Sequence, residues 1–235
     1  MTDCATDTTR FDTLAGLALE VAFDGGRLTS DGGLALIARE DTELGLCEAI
    51  ASCVPEWRRG RVKHSLQELV RQRVYQIACG YEDQDDSDTL RGDPLLKLVC
   101  GRLPESGADL ASQPTMSRLE NAVSASACYR MALALGAVYI GQRGRDGAPK
   151  RILLDIDSTD DPTHGDQEGS HYHGYYEQHM YHPLLVFDGD TGQLITAILR
   201  PGNTHASRGA VGILRRIVER LRAAWPGVRS RSAFP

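Results

Sequence analysis

The chain has 235 residues, 41% of them hydrophobic and 25% charged, with a formal net charge of -6. That length suits one large domain or two small ones, and the composition is that of a globular protein. No apolar stretch approaches the ~20 residues of a membrane span, and the opening MTDCATDTTRFD is too polar and acidic for a secretory leader. Six cysteines (Cys4, Cys47, Cys53, Cys79, Cys100 and Cys128) lie scattered with no CxxC pair, which predicts reduced, packed thiols and a cytoplasmic protein.

Charge is distributed unevenly. Positions 56–73 hold six Arg or Lys against two Glu, and positions 200–231 hold eight Arg against one Glu. Acids cluster at 82–93 and 155–168. Basic patches on an acidic average fit a nucleic-acid binder with a carboxylate site, because phosphate responds to the local field; each patch alone also fits a solvated helix face.

In chain order, residues 1–27 read as a poorly ordered arm with a candidate strand at Ala18–Phe23. A helix starts in LTSDGGLALIARE, capped by Ser30 or Asp31, with Leu34, Ile37 and Ala38 at helical spacing. Residues 64–81 predict a helix with an apolar stripe of Leu66, Leu69, Val70, Val74 and Ile77, stopped by Gly80. Gln84, Asp85 and Asp88 are read as helix caps, and a short helix follows Asp93–Pro94. Residues 112–143 predict one or two helices opened by Ser112 or Thr115, which makes 28–145 all-helical. GRDGAPK (144–150) is the expected domain boundary.

Beyond it the pattern changes. RILLDID predicts a central strand, QHMYHPLLVFD (178–188) a second with Pro183 near its start or at a bulge, GDTG a tight turn, and QLITAILRPG a third strand. Residues 205–227 predict an amphipathic helix with a core stripe of Val211, Leu214, Val218, Leu221 and Trp225. The predicted class is α+β: helices first, then a strand, a β-hairpin and a helix.

Asp155 and Asp157 are two apart on one predicted strand and so share a face, with Asp157 at the strand's C-terminal end, where ligand sites collect in open sheets. A carboxylate there suits a hard divalent cation; the same acids could instead cap the Ser158–Pro162 turn. His171 and His173, in HxH spacing, offer a competing zinc-hydrolase reading, although the interleaved Tyr172, Tyr175, Tyr176 and Tyr181 suit packing or nucleic-acid contact equally.

The segments LTSDGGLALI, GYEDQDDSDTLRGDPLLKL, SQPTMSRLEN, LLDIDSTDDPTHGDQEG and YYEQHMYHPLLVFDGDTGQLITAILRPGNTHASRGAVGILRRI, in that order, resemble bacterial insertion-sequence transposases of the transposase DDE domain group 1. The resemblance runs from about residue 18 to 228. It implies a helical region (28–145) that grips transposon ends and an RNase H-like catalytic domain (from 151) whose Asp, Asp and Glu hold Mg²⁺ or Mn²⁺. It implies phosphodiester hydrolysis at the element's end and strand transfer into target DNA. The first family Asp falls on Asp157, with Asp155 the alternative. Arg200, Asn203 and His205 are expected near the site as phosphate or supporting groups, or in structural roles in the turn; Gln167 and Glu168 are further candidates. Arg58, Arg59, Arg61 and Lys63 are candidate DNA-backbone contacts, which give affinity without sequence preference.

The chain departs from the family where a second Asp belongs in a segment shaped like R-x-D-S-G-F: it reads VRSRSAFP, with no Asp after Asp190 and no Glu after Glu219. The expectation is a C-terminally truncated copy lacking a core strand, with an open sheet edge and no activity alone. A truncated DNA-binding regulator that occupies transposon ends, self-associates or pairs with full-length transposase is the alternative from the binding class. No membrane partner is expected.

Overall fold

A computed structural model describes residues 8–14, 17–22 and 28–233. The elements in order are strands β1 (Thr8–Leu14) and β2 (Leu17–Ala22), helices α1 (Leu34–Leu44), α2 (Leu46–Cys53), α3 (Leu66–Ala78), α4 (Asp86–Leu90), α5 (Pro94–Val99), α6 (Gln113–Ala122) and α7 (Ala125–Arg143), then strands β3 (Arg151–Ser158), β4 (Asp161–Pro162), β5 (His171–His173), β6 (Gln178–Tyr181), β7 (Leu184–Asp188) and β8 (Gln193–Ile198), helix α8 (Ala210–Ala224) and strand β9 (Arg229–Ala233). The class is α+β with a helical N-terminal region, as the sequence implies.

The poorly ordered arm is a correction where it is described. β1 and β2 form an antiparallel hairpin, from Thr8 opposite Ala22 to Leu14 opposite Leu17. Its Thr, Phe, Leu and Val content suits extended backbone. The hairpin takes in 18–22 of the candidate strand; Phe23 and the rest of the arm lie outside the described residues.

The chain falls into two compact units, Met1–Arg39 with Arg71–Ser117, and Glu40–Val70 with Arg118–Pro235. This division does not run through 144–150, because α7 packs on both α2 and β8 and so belongs with the sheet that follows it. In the first unit, the inward face of α3 carries Gln72, Tyr75 and Gln76, while Ile77 is 48% exposed. The predicted stripe holds at buried Leu69 and Val70 and is corrected beyond them: Gln72 exchanges two 2.9 Å bonds with the backbone of Ala111, and Gln76 Oε1 accepts from Ser87 at 3.1 Å, so amides take core positions in place of Val74 and Ile77. Gly80, at φ 90°, ends α3, with the Tyr81 N–H reaching back to the Gln76 carbonyl at 2.9 Å. Asp93 caps α5 by accepting from Leu96 N at 2.8 Å. Asp85 stands at the N-cap of α4 without a side-chain cap bond, whereas Asp88 accepts from Gln113 N at the start of α6.

The second unit is built on a four-stranded sheet of order β8-β7-β3-β9. β3 runs antiparallel to β7 (Asp157 opposite Leu185) and parallel to β9 (Leu153 beside Arg231). β9 corrects the expectation of a missing core strand. Its R-S-R-S-A run has no apolar signature, but buried Val228 precedes it and Arg229 N donates to the Lys150 carbonyl at 3.1 Å, which aligns it with β3. Ile152, Leu154 and Ile156 of β3 face a core with Val186, Ile195, Tyr139 of α7 and Ile217 and Leu221 of α8. Full burial of each aliphatic side chain contributes about 1.5–3 kcal/mol. Val211, expected in that core, is 70% exposed; the buried stripe of α8 runs through Ala210, Ile217 and Leu221, with Trp225 just beyond. The second predicted strand divides at His182–Pro183: β7 joins the main sheet, and β6 pairs between β4 and β5 in a separate three-stranded sheet. The proline has no N–H to continue the ladder.

Candidate active site

Alternation along β3 sends Ile152, Leu154 and Ile156 inward and leaves Asp155 and Asp157 exposed on the opposite face. Asp157, one residue from the strand's end, accepts a 2.8 Å bond from Ser158 N. It lines a concavity of about 290 Å³ with Ile156, Ser158, Leu184, His205, Ala206, Ser207 and Ala210. The loop 205–209 and the start of α8 form its far wall. Gly209, at φ 80°, begins that helix with no side-chain cap, so positively polarised backbone amides lie at this end. His205 Nδ1 lies 2.9 Å from Ser207 Oγ. The structure thus brings Asp157 and His205 together and adds Ser158 and Ser207, which sequence reasoning did not single out; the Ser207-Arg208-Gly209 turn ahead of a helix is the signal that marks Ser207.

Asp155 shares the exposed face but does not line the concavity. Arg200 is 6% exposed and lies beneath the loop: Nε donates to the His182 carbonyl at 2.9 Å, and Nη1 to the carbonyls of Ala206 (2.9 Å) and Arg208 (3.0 Å). Burial pushes the pKa of its guanidinium down. Its geometry is that of a brace under the wall carrying His205 and Ser207. Asn203 is exposed outside the concavity, as are Gln167 and Glu168; the Glu168 carbonyl accepts from Tyr181 OH at 2.7 Å.

The HxH pair lies elsewhere. His171 and His173 are on β5, where the His173 ring sits 5.1 Å from Tyr176 and 5.0 Å from His182. His182 Nδ1 is 2.7 Å from the Thr204 carbonyl, which makes this an aromatic packing cluster with one imidazole anchored to backbone. In the basic segment, Arg59, Arg61 and Lys63 are exposed. Arg58 is engaged: it pairs with Glu56 at 2.6 Å, donates to the His64 carbonyl at 2.5 Å and lies over the Trp57 ring. Asp188, which sequence reasoning passed over, has no exposed surface; it accepts from Tyr139 OH at 2.8 Å and pairs with Arg143 at 3.3 Å. Burial and that bond push the Tyr139 phenol above its usual pKa of 10.0.

The fit to a divalent cation is incomplete. Asp157 is the one carboxylate in its concavity, flanked by an imidazole and two hydroxyls, and no group of three or more His, Cys, Asp or Glu among the described residues could hold a metal. Among the described residues, no single helix is long and apolar enough to cross a membrane.

No curated protein and no solved structure matches the chain. The model of one family, transposase DDE domain group 1, matches residues 11–234. That family carries a transposase-type function in DNA transposition and depends in general on divalent metal. The match spans nearly the whole chain, hairpin to β9, and the chain belongs to the transposase DDE domain group 1 family.

Proposed function

We propose that the chain engages transposon-end DNA and presents Asp157 to it as the first acid of an Asp-Asp-Glu centre in an RNase H-like domain. One observation carries the reading: an exposed carboxylate stands at the C-terminal end of the central strand, in a concavity walled by the start of a helix. The sheet order, with an antiparallel hairpin on one side of β3 and a parallel strand on the other, supports it. Helices of 28–145 contribute the grip on the ends, and Arg59, Arg61 and Lys63 are the exposed cations for backbone phosphate. A second reading, a regulator that occupies transposon ends without cutting them, alone or paired with a cleaving transposase, is favoured by the single carboxylate of the concavity.

The test is a gel shift and a strand-cleavage assay on terminal-repeat duplex with Mg²⁺ or Mn²⁺. A shift with cleavage that Asp157→Ala reduces at least a hundredfold supports the catalytic reading. A shift without cleavage establishes the regulator. No shift at low salt counts against both.

A further inference from the structure

The structure sorts the six arginines of 200–222 into two kinds. Arg200 braces backbone carbonyls, Arg220 donates to the Leu133 carbonyl at 2.8 Å, and Arg216 lies over the Tyr129 ring at 5.6 Å. These three hold the fold together. Arg208, Arg215 and Arg222 are exposed, with no ion-pair partner among the described residues. Arg215 and Arg222 are two turns apart on α8, which places them on one ridge about 10.5 Å apart along the axis. Arg208 lies just ahead of the helix, one residue before the Gly209 cap and next to Ser207, which lines the Asp157 concavity. The opposite side of the helix is committed to the core through Ile217 and Leu221. The chain has 32 acids against 26 Lys and Arg, yet Glu219 is the one acid in α8. Glu219 lies four residues after Arg215 and three before Arg222, on the same exposed face, where the cations outnumber it.

We propose that this ridge binds the phosphate backbone of duplex DNA, leading it toward the Asp157 concavity. The inference rests on the DNA-binding reading above and adds a surface to it. Guanidinium groups suit phosphate through their forked donors, and these three need not break an internal ion pair to reach it.

The test uses a fluorescently labelled random-sequence duplex, since phosphate contacts carry no sequence preference. Affinity is measured by anisotropy over a salt series for the full chain and for the triple variant Arg208→Gln, Arg215→Gln, Arg222→Gln. Gln is a good helix former at exposed positions, and circular dichroism checks that the helix content is kept. Each lost phosphate contact lowers the slope of log affinity against log salt by ~0.9, so the expected fall is about two to three, with weaker binding at low salt. Glu219→Gln is expected to tighten binding. An unchanged slope in a folded triple variant, while the parent chain binds, overturns the ridge and leaves the proposed function standing. A parent chain that does not bind at the lowest salt sinks both.

Discussion

Asp188 and Asp190 stand two residues apart in one turn, and burial alone separates their roles. Asp190 pairs with Arg151 at the surface, at 3.0 Å. Asp188 ties α7 to β7 through Tyr139 and Arg143 with no exposed surface. Asp188→Ala would leave a buried phenol and a half-buried guanidinium without their acceptor, and a loss of about 3 kcal/mol is expected from urea unfolding. Glu56 makes the opposite case, an exposed acid with a strong partner. The Arg58 hydrogen bond holds its carboxyl down at about 2, from 4.5. A folded-state pKa below the unfolded value stabilises at higher pH, so this contribution is full above 4.5 and lost as pH falls toward about 2. Carboxyl NMR titration should show Glu56 titrating below the ordinary glutamate range, and Arg58→Ala should return it to that range. Pattern reading put Asp155 and Asp157 on one exposed face, because that follows from strand alternation. It could not locate Asp188, because the neighbours that make that site come from a helix about 50 residues away in sequence.

At the scale of elements, capping was legible in part. Asp93 and Gly80 mark helix ends where local rules place them, whereas Asp85 makes no side-chain cap bond and Ser124, which caps α7, was not singled out. Burial stripes were less legible, since Gln72 and Gln76 take core positions through bonds to residues far along the chain. The three-stranded sheet was not legible: β4 and β5 are two and three residues long, too short for an alternation to register. That sheet meets the turn leading to His205 at one crowded point. A Cβ on Gly202 would lie 1.9 Å from the Met180 carbonyl oxygen and 2.6 Å from that of His171. Gly202→Ala therefore forces backbone apart and is expected to cost about 3 kcal/mol, read as a lower urea midpoint together with altered His205 imidazole resonances. Unchanged values for both would show that the turn yields freely.

Across the whole molecule, family membership and the α+β class were both legible in the residues, because long ordered segments and a switch of period from helical to alternating survive without any contact information. The division into two units was not, since α2 and α7 are joined by packing and by Arg130 reaching the Cys53 carbonyl at 2.8 Å, neither of which leaves a local mark. The parallel pairing of β3 with β9 has a kinetic consequence. Adjacent parallel strands cannot be closed by a tight turn; here β9 meets β3 only after some 70 intervening residues, α8 among them, have been laid down. Non-local closure of that kind is slow, so while a nascent chain emerges, β7 and β8 can zip early and the β9 edge of the sheet closes among the last events of folding.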